Sequence, residues 1–203
     1  MTKLQALQTL AAEVSQCTKC LLHRGRTNAV PGEGPADADI MFVGEAPGFH
    51  EDQQGRPFVG AAGKFLEELL ESIGLTRQDV YIANVIKCRP PGNRDPLPDE
   101  IESCKPYLDR QIELIQPKLL VTLGRFSMAR AFPKARISKI HGQPRKINGI
   151  IYYPMYHPAA ALHQPSLRRT IEEDMQRIPE LLDHAENIAE SELPAQAEQL
   201  KLF

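Results

Sequence analysis

The chain has 203 residues, 42% of them hydrophobic and 25% charged, which suits one globular domain with a sizeable core. Its 17 prolines and 13 glycines are spread along the chain, excluding collagen-like and low-complexity classes. The N-terminal stretch MTKLQALQTLAAEVSQC lacks an apolar core of signal-peptide length and no apolar run is long enough to span a bilayer, so a soluble cytoplasmic protein is expected. A monomer is expected as well. The formal net charge of -2 speaks against a polyanionic partner, but the charges are unevenly placed. Between Leu114 and Ile171 there are ten basic residues (Lys118, Arg125, Arg130, Lys134, Arg136, Lys139, Arg145, Lys146, Arg168 and Arg169) and no Asp or Glu. From Glu172 onward nine acidic residues face two basic ones. A phosphate backbone responds to a local patch rather than to the chain total, whereas a scatter of the same residues around the surface would bind nothing.

Apolar residues at helical spacing predict a first helix over residues 3–15, leading into Cys17 and Cys20. Residues 38–43 (ADIMFV), ended by Gly44, read as a buried strand followed by a glycine-rich loop. An amphipathic helix follows over 61–73 and is closed by Gly74. The β-branched and aromatic run 80–86 (VYIANVI) is a second strand, and Pro98-Asp-Glu opens a helix that carries Cys104 and ends near Ile115. Residues 118–123 (KLLVTL) and 150–156 (IIYYPMY) give a third and a fourth strand, and 165–182 a final helix. Apolar strands alternating with helices predict an α/β fold: three α/β/α layers around a central four-stranded, mainly parallel sheet. Binding sites in such sheets gather beyond the strand carboxyl ends, where residues 44–52, 84–93 and 157–162 all fall. One domain is expected over residues 1–184, followed by a flexible acidic tail over 185–203.

Cys17 and Cys20 form a CxxC pair, while Cys88 and Cys104 stand far downstream at a strand end and inside a helix. In a reducing cytosol this set is compatible with an iron–sulfur cluster, with zinc or with free thiols, and the wide second pair suits a cuboidal cluster better than a zinc ribbon.

The stretches GEAPGFHED (44–52), GRPFVGAAGKFL (55–66), NVIKCRPPGNRDP (84–96), LLVTLG (119–124) and HPAAAL (157–162) follow one another in a set order. Together they resemble the bacterial family 4 uracil-DNA glycosylases, over roughly residues 1–184, and all four cysteines fit the ligands of that family's 4Fe-4S cluster. The resemblance implies a uracil-DNA glycosylase-like fold and a hydrolase of base excision repair that releases uracil from single- and double-stranded DNA.

The resemblance also assigns roles that the chemistry supports. A pocket that takes uracil and rejects cytosine must accept from N3–H and donate to O4, as the amide of Asn84 can. Phe58 would stack on the ring, and the backbone of Glu45, Ala46 and Gly48 would lie against the base. His157 would place an N–H on O2 as the uracil anion forms, and Glu45 would steady the sugar cation or orient water. Glu51 and Asp52 are secondary candidates. Leu162 would fill the hole left by the flipped base, with His163, Lys64, Arg168 and Arg169 on phosphates, and His141 suits either a DNA contact or a turn cap.

Family 1 enzymes have an Asp where Ala46 stands and a Tyr where Gly48 stands, leaving the water-activating group and the rejection of thymine unassigned. Lys87 could suggest lyase chemistry, but nothing in the sequence indicates the desolvation this needs, so a monofunctional hydrolase is expected. The alternative is a non-turnover uracil-DNA binding protein. Relatives of that kind carry a basic, His-containing insertion that KCRPPGNRDPLPDE lacks. An iron–sulfur redox sensor that binds DNA would leave Asn84, Phe58 and His157 without common purpose.

The last residues, with Gln199, Leu200, Leu202 and Phe203, resemble the short peptide by which bacterial proteins bind the replicative sliding clamp, two apolar side chains entering a pocket beside a polar contact. Removing residues 199–203 is expected to abolish capture by the immobilised clamp and to leave excision of uracil from a free oligonucleotide intact.

Overall fold

The computed structural model describes residues 1–191, so the proposed clamp peptide at Gln199, Leu200, Leu202 and Phe203 lies outside the described residues. Helix α1 (Lys3–Gln16) and a short turn of 3-10 helix at Leu21–Arg24 precede strand β1 (Ile40–Gly44). Helices α2 (Phe49–Gln54) and α3 (Ala61–Ser72) lead to β2 (Tyr81–Asn84), and α4 (Pro98–Ile115) to β3 (Leu119–Leu123). Two short helices, α5 (Arg125–Met128) and α6 (Ile137–Ile140), come before β4 (Arg145–Ile147) and β5 (Ile150–Met155). The chain then forms α7 (Pro158–His163), α8 (Leu167–Gln176) and α9 (Ile178–Asp183).

The strands lie in the order β2-β1-β3-β5-β4. Neighbours are parallel except β4, which runs antiparallel to β5. Among the described residues the sheet therefore has five strands, not the four expected. The extra strand forms because Asn148 and Gly149 both take positive φ (50° and 78°) and close a two-residue hairpin. Asn-Gly between apolar flanks is a strong hairpin signal, and it is present in KINGII. The final helix expected over 165–182 is instead two, because Pro179 lacks the N–H that a continuous helix would need there and its ring opposes the preceding turn. The loop after β1 also contains a helical turn, α2. The first residues of the expected tail are ordered against the sheet edge, where Ser191 N donates to Lys146 O at 2.8 Å.

Alternation along the strands builds both faces. Ile40 and Phe42 of β1, Ile82 of β2 and Tyr153 of β5 pack with Phe65, Leu66, Leu69, Ile171 and Met175 of α3 and α8. Met41, Val43, Ala83, Leu120 and Tyr152 pack on the other face with Leu7, Leu10 and Val14 of α1 and Leu108 and Ile112 of α4. Both strand faces are thus covered, which is why β1 and β3 are buried throughout and read as unbroken apolar runs. The four parallel strands end at one rim, and the polar residues that break the apolar pattern stand there.

Candidate active site

Gly44 and Asn84 are register partners at the ends of β1 and β2. By strand parity both belong to the face that carries Phe42 and Ile82. A β-carbon at position 44 would lie 2.5 Å from Asn84 Oδ1 and 2.7 Å from Phe58 Cε2 and Cζ, so glycine there lets the amide and the aromatic ring approach the strand end together. Asn84 is 2% exposed, and its Oδ1 has no hydrogen-bond partner among the described residues. A buried carbonyl oxygen left in that state costs about 1–3 kcal/mol, a cost that a ligand donor would remove.

Phe58 joins this corner from the segment between α2 and α3. Its φ is +52°, a left-handed conformation that costs a bulky side chain of order 1 kcal/mol or more. Its ring stacks on the imidazole of His157, with centroids 5.4 Å apart and planes 23° from parallel. His157 caps α7, and its Nδ1 accepts from Ala159 N at 3.1 Å. The neutral ring therefore carries its proton on Nε2, which is left as a donor. Burial lowers the His157 pKa to about 4, with Glu51 opposing in part, so the ring is neutral at physiological pH. Gly124, at φ +88° after β3, brings the backbone so close that a β-carbon there would be 3.3 Å from His157 Cβ. Asn84, Phe58 and His157, expected from separate motifs, thus form one cluster.

Glu45 follows Gly44 directly. Burial pushes its carboxyl up to about 7, the negative charge of Asp95 adds to the shift, and Arg125 opposes it. Asp95 and Arg125 are themselves ion-paired, so the two charges that act on Glu45 come from the segment before α4 and from the start of α5. Ala46 and Gly48 are half-buried beside it.

Glu51 is engaged differently from the expectation. Its Oε1 accepts from Val59 N and Gly60 N, each at 2.9 Å, and its Oε2 from Gly48 N at 3.1 Å. The carboxylate is occupied by three backbone donors and ties the loop after β1 to the segment that carries Phe58. Asp52 is likewise structural, with Oδ1 accepting from Thr27 N at 2.9 Å. The capping pattern G-x-x-E starting at Gly48 could have signalled the Glu51 tie from sequence; its second half, to residues 59 and 60, could not.

The proposed DNA-facing residues divide. Leu162, at the end of α7, is 51% exposed, and His163 and Lys64 are exposed as well. Arg168 is ion-paired with Glu68 at 2.7 Å and Glu172 at 2.8 Å and lies over the Phe65 ring, and Arg169 pairs with Glu173. His141 bonds through Nδ1 to Asp174 Oδ2 at 2.8 Å, away from the cluster around Asn84 in its hydrogen bonding. The basic run in the sequence is therefore partly neutralised in space: Lys118 meets Asp39, Arg125 meets Asp95 and Arg130 meets Asp109.

Lys87 corrects the sequence reading. It is 1% exposed, and burial lowers its pKa to about 8. The desolvation is present, yet Nζ is committed, donating to Asn84 O at 2.9 Å and to Gln111 Oε1 at 2.7 Å. Its backbone N donates to Cys104 Sγ at 3.3 Å.

Cys17, Cys20, Cys88 and Cys104 all line one small opening, together with Arg26, Lys87 and Tyr107. Arg26 Nη1 donates to Cys88 Sγ at 3.2 Å. Burial pushes the Cys20 and Cys88 thiols up and takes Cys104 to about 11. Among the described residues no group of three or more His, Cys, Asp or Glu side chains is arranged to hold a single metal ion. Four cysteine sulfurs lining one opening are a donor set that fits an iron–sulfur group.

Residues 31–179 match the uracil DNA glycosylase superfamily. The type-4 uracil-DNA glycosylase of Sulfurisphaera tokodaii is 54% identical over 188 residues, covering 88% of this chain and 86% of that protein. The type-4 enzyme of Archaeoglobus fulgidus is 48% identical, covering 88% and 94%. That of Thermotoga maritima is 44% identical, covering 87% and 94%. With a buried amide whose oxygen has no partner among the described residues, a ring stacked on an imidazole and a desolvated carboxyl gathered at one rim of a parallel sheet, the chain belongs to the uracil DNA glycosylase superfamily, among its type-4 members.

Proposed function

We propose that this protein hydrolyses the N-glycosidic bond of deoxyuridine in DNA, releasing uracil and leaving an abasic site. The observation that carries the reading is the buried Asn84 amide, whose oxygen has no partner among the described residues and which shares the space over Gly44 with the Phe58 ring, itself stacked on His157. Uracil supplies what is missing: N3–H donates to Asn84 Oδ1 while the amide nitrogen donates to O4. Cytosine presents the reverse order and would leave the amide opposed. The extruded base lies against Phe58, with the backbone of Glu45, Ala46 and Gly48 along its edge.

As the bond between C1′ and N1 breaks, its electron pair passes to the base and positive charge builds on the sugar. Nε2–H of neutral His157 donates to O2 and stabilises the anion without first having to lose a proton. The Glu45 carboxylate faces the sugar cation and takes the proton of the water that adds to C1′. Glu51 is assigned to positioning, because its carboxylate is already occupied. Lys87 is held by Asn84 O and Gln111 and is not available as a Schiff-base nucleophile, which supports monofunctional chemistry. Leu162, His163 and Lys64 are assigned to the DNA-facing surface, Leu162 as the side chain that fills the vacated stack. Arg168 joins them only by exchanging Glu68 and Glu172 for phosphate.

Cys17, Cys20, Cys88 and Cys104 are assigned to a 4Fe-4S cluster. When bound, the cluster would cross-link the segment after α1, the segment after β2 and α4. Its contribution to the site is mechanical, since Lys87 bonds both to Cys104 Sγ through its backbone and to Asn84 O through its side chain.

Multiple-turnover release of free uracil from a deoxyuridine oligonucleotide, with an uncleaved abasic product, tests the reading against a non-turnover binder. Asn84→Ala is expected to lower the single-turnover rate by at least about a hundredfold with the thermal midpoint retained, because one preorganised contact to the departing base is lost. Glu45 acts as a carboxylate although its pKa is raised, so the rate should fall as the pH drops through about 7, and this acid limb should vanish in Glu45→Gln. Cys104→Ser, purified anaerobically, is expected to lose visible absorbance and iron relative to the parent, and an unchanged iron content would remove the cluster assignment.

A further inference from the structure

Phe58 holds a backbone conformation that its own side chain disfavours, and hydrophobic contact alone does not impose a positive φ. The two carbonyls that flank its φ and ψ are held by a residue outside the pocket. Arg77, in the turn between α3 and β2, donates from Nη2 to Pro57 O at 2.6 Å and from Nη1 to Phe58 O at 2.7 Å. Its side chain is only 14% exposed. The same guanidinium is anchored by Glu33, with Nε 3.1 Å from Oε1 and Nη2 bonded to that oxygen as well, and Nη1 lies 3.5 Å from Glu67 Oε1. Glu33 is fixed at its own backbone. Its N donates to Ile82 O at 2.9 Å and its O accepts from Ile82 N at 2.7 Å, two residues before Asn84 on β2. Arg56 Nε and Nη2 add bonds to the Glu33 carboxylate at 2.8 and 2.9 Å. From below, α3 closes the remaining space, since a β-carbon on Gly63 would fall 1.9 Å from Phe58 O.

We infer that Arg77, anchored by Glu33 to the strand that carries Asn84, is a positioning residue that sets the distance and tilt of the Phe58 ring relative to the Asn84 amide and thereby the grip on the uracil base. The planar fork of arginine suits this role because it reaches two adjacent carbonyls and a carboxylate at once, which a lysine ammonium on a single point cannot do. The inference rests on the assignment of Phe58 as the stacking face for uracil. Arg77 touches neither base nor DNA in this scheme, so its effect must pass through Phe58.

A double-mutant cycle read by competitive inhibition with free uracil tests this. Arg77→Met should raise the inhibition constant for uracil about tenfold, the weight of one charge-assisted hydrogen bond. It should leave affinity for an oligonucleotide with thymine in place of uracil unchanged. Arg77→Lys should recover only part of the loss. In a Phe58→Ala background, Arg77→Met should add nothing further to the uracil constant. Glu33→Gln, which keeps Arg77 but weakens its anchor, is the milder variant if Arg77→Met folds poorly, and should raise the constant about threefold, again only when Phe58 is present. Multiplicative effects of the Arg77 (or Glu33) and Phe58 changes, or a fall in thermal midpoint with the uracil constant unmoved, would overturn the strut alone. A Phe58→Ala protein with an unaltered uracil constant would bring down the stacking assignment and the strut with it.

Discussion

The pairing of Gly44 with Asn84 across two adjacent parallel strands is the constraint on which the site depends. A side chain on residue 44 would collide with both the Asn84 amide and the Phe58 ring, so the absence of a β-carbon at one strand end permits a polar recognition group and an aromatic face to share a buried corner. The cost of that corner is visible in an amide oxygen without a partner among the described residues and an aromatic residue in a left-handed conformation. Both are strains that a packed domain tolerates only where its surroundings over-determine the geometry.

The surroundings do so through carboxylates and cations that never need to touch a ligand. Glu51 collects backbone N–H groups from two loops, Arg77 and Glu33 span from β2 to Phe58, and Lys87 bonds the carbonyl of Asn84 itself. Each charged group is satisfied by fixed dipoles or by a counter-charge, which keeps its burial tolerable and its geometry rigid. The reactive groups are treated in the opposite way. Glu45 and His157 are desolvated with few compensating bonds, so the first is drawn toward its protonated form and the second toward its neutral one. Lys87 combines the two, desolvated to a pKa of about 8 yet bonded to Asn84 O and Gln111.

The charge pattern shows why a linear reading of electrostatics misleads. Ten basic residues without an acidic neighbour in sequence suggest a continuous anionic-ligand surface, but the fold sets Asp39, Asp95, Asp109 and Glu68 against several of them. What remains for a polyanion is set by which pairs can be exchanged for phosphate, a question of geometry and local dielectric rather than of count.

Local sequence determined the elements of this protein. Short apolar runs fixed the parallel strands, helical spacing fixed α1, α3 and α4, and the motifs at strand ends marked the rim where Gly44, Asn84 and His157 stand, because period and capping act over a few residues. The Asn-Gly hairpin that adds β4 and the proline that divides α8 from α9 are equally local signals, although the expected four strands and single final helix left both out. Tertiary structure alone decided the rest. Glu51 is a tie and not a free carboxylate, Lys87 is buried yet bonded, Arg168 is paired, and four cysteines from three segments line one opening. Such outcomes depend on partners distant in the chain, as in the Arg77–Glu33 and Arg168–Glu68 bonds that span 44 and 100 positions. Burial and pairing are properties of the folded neighbourhood, and no residue carries them in its own identity.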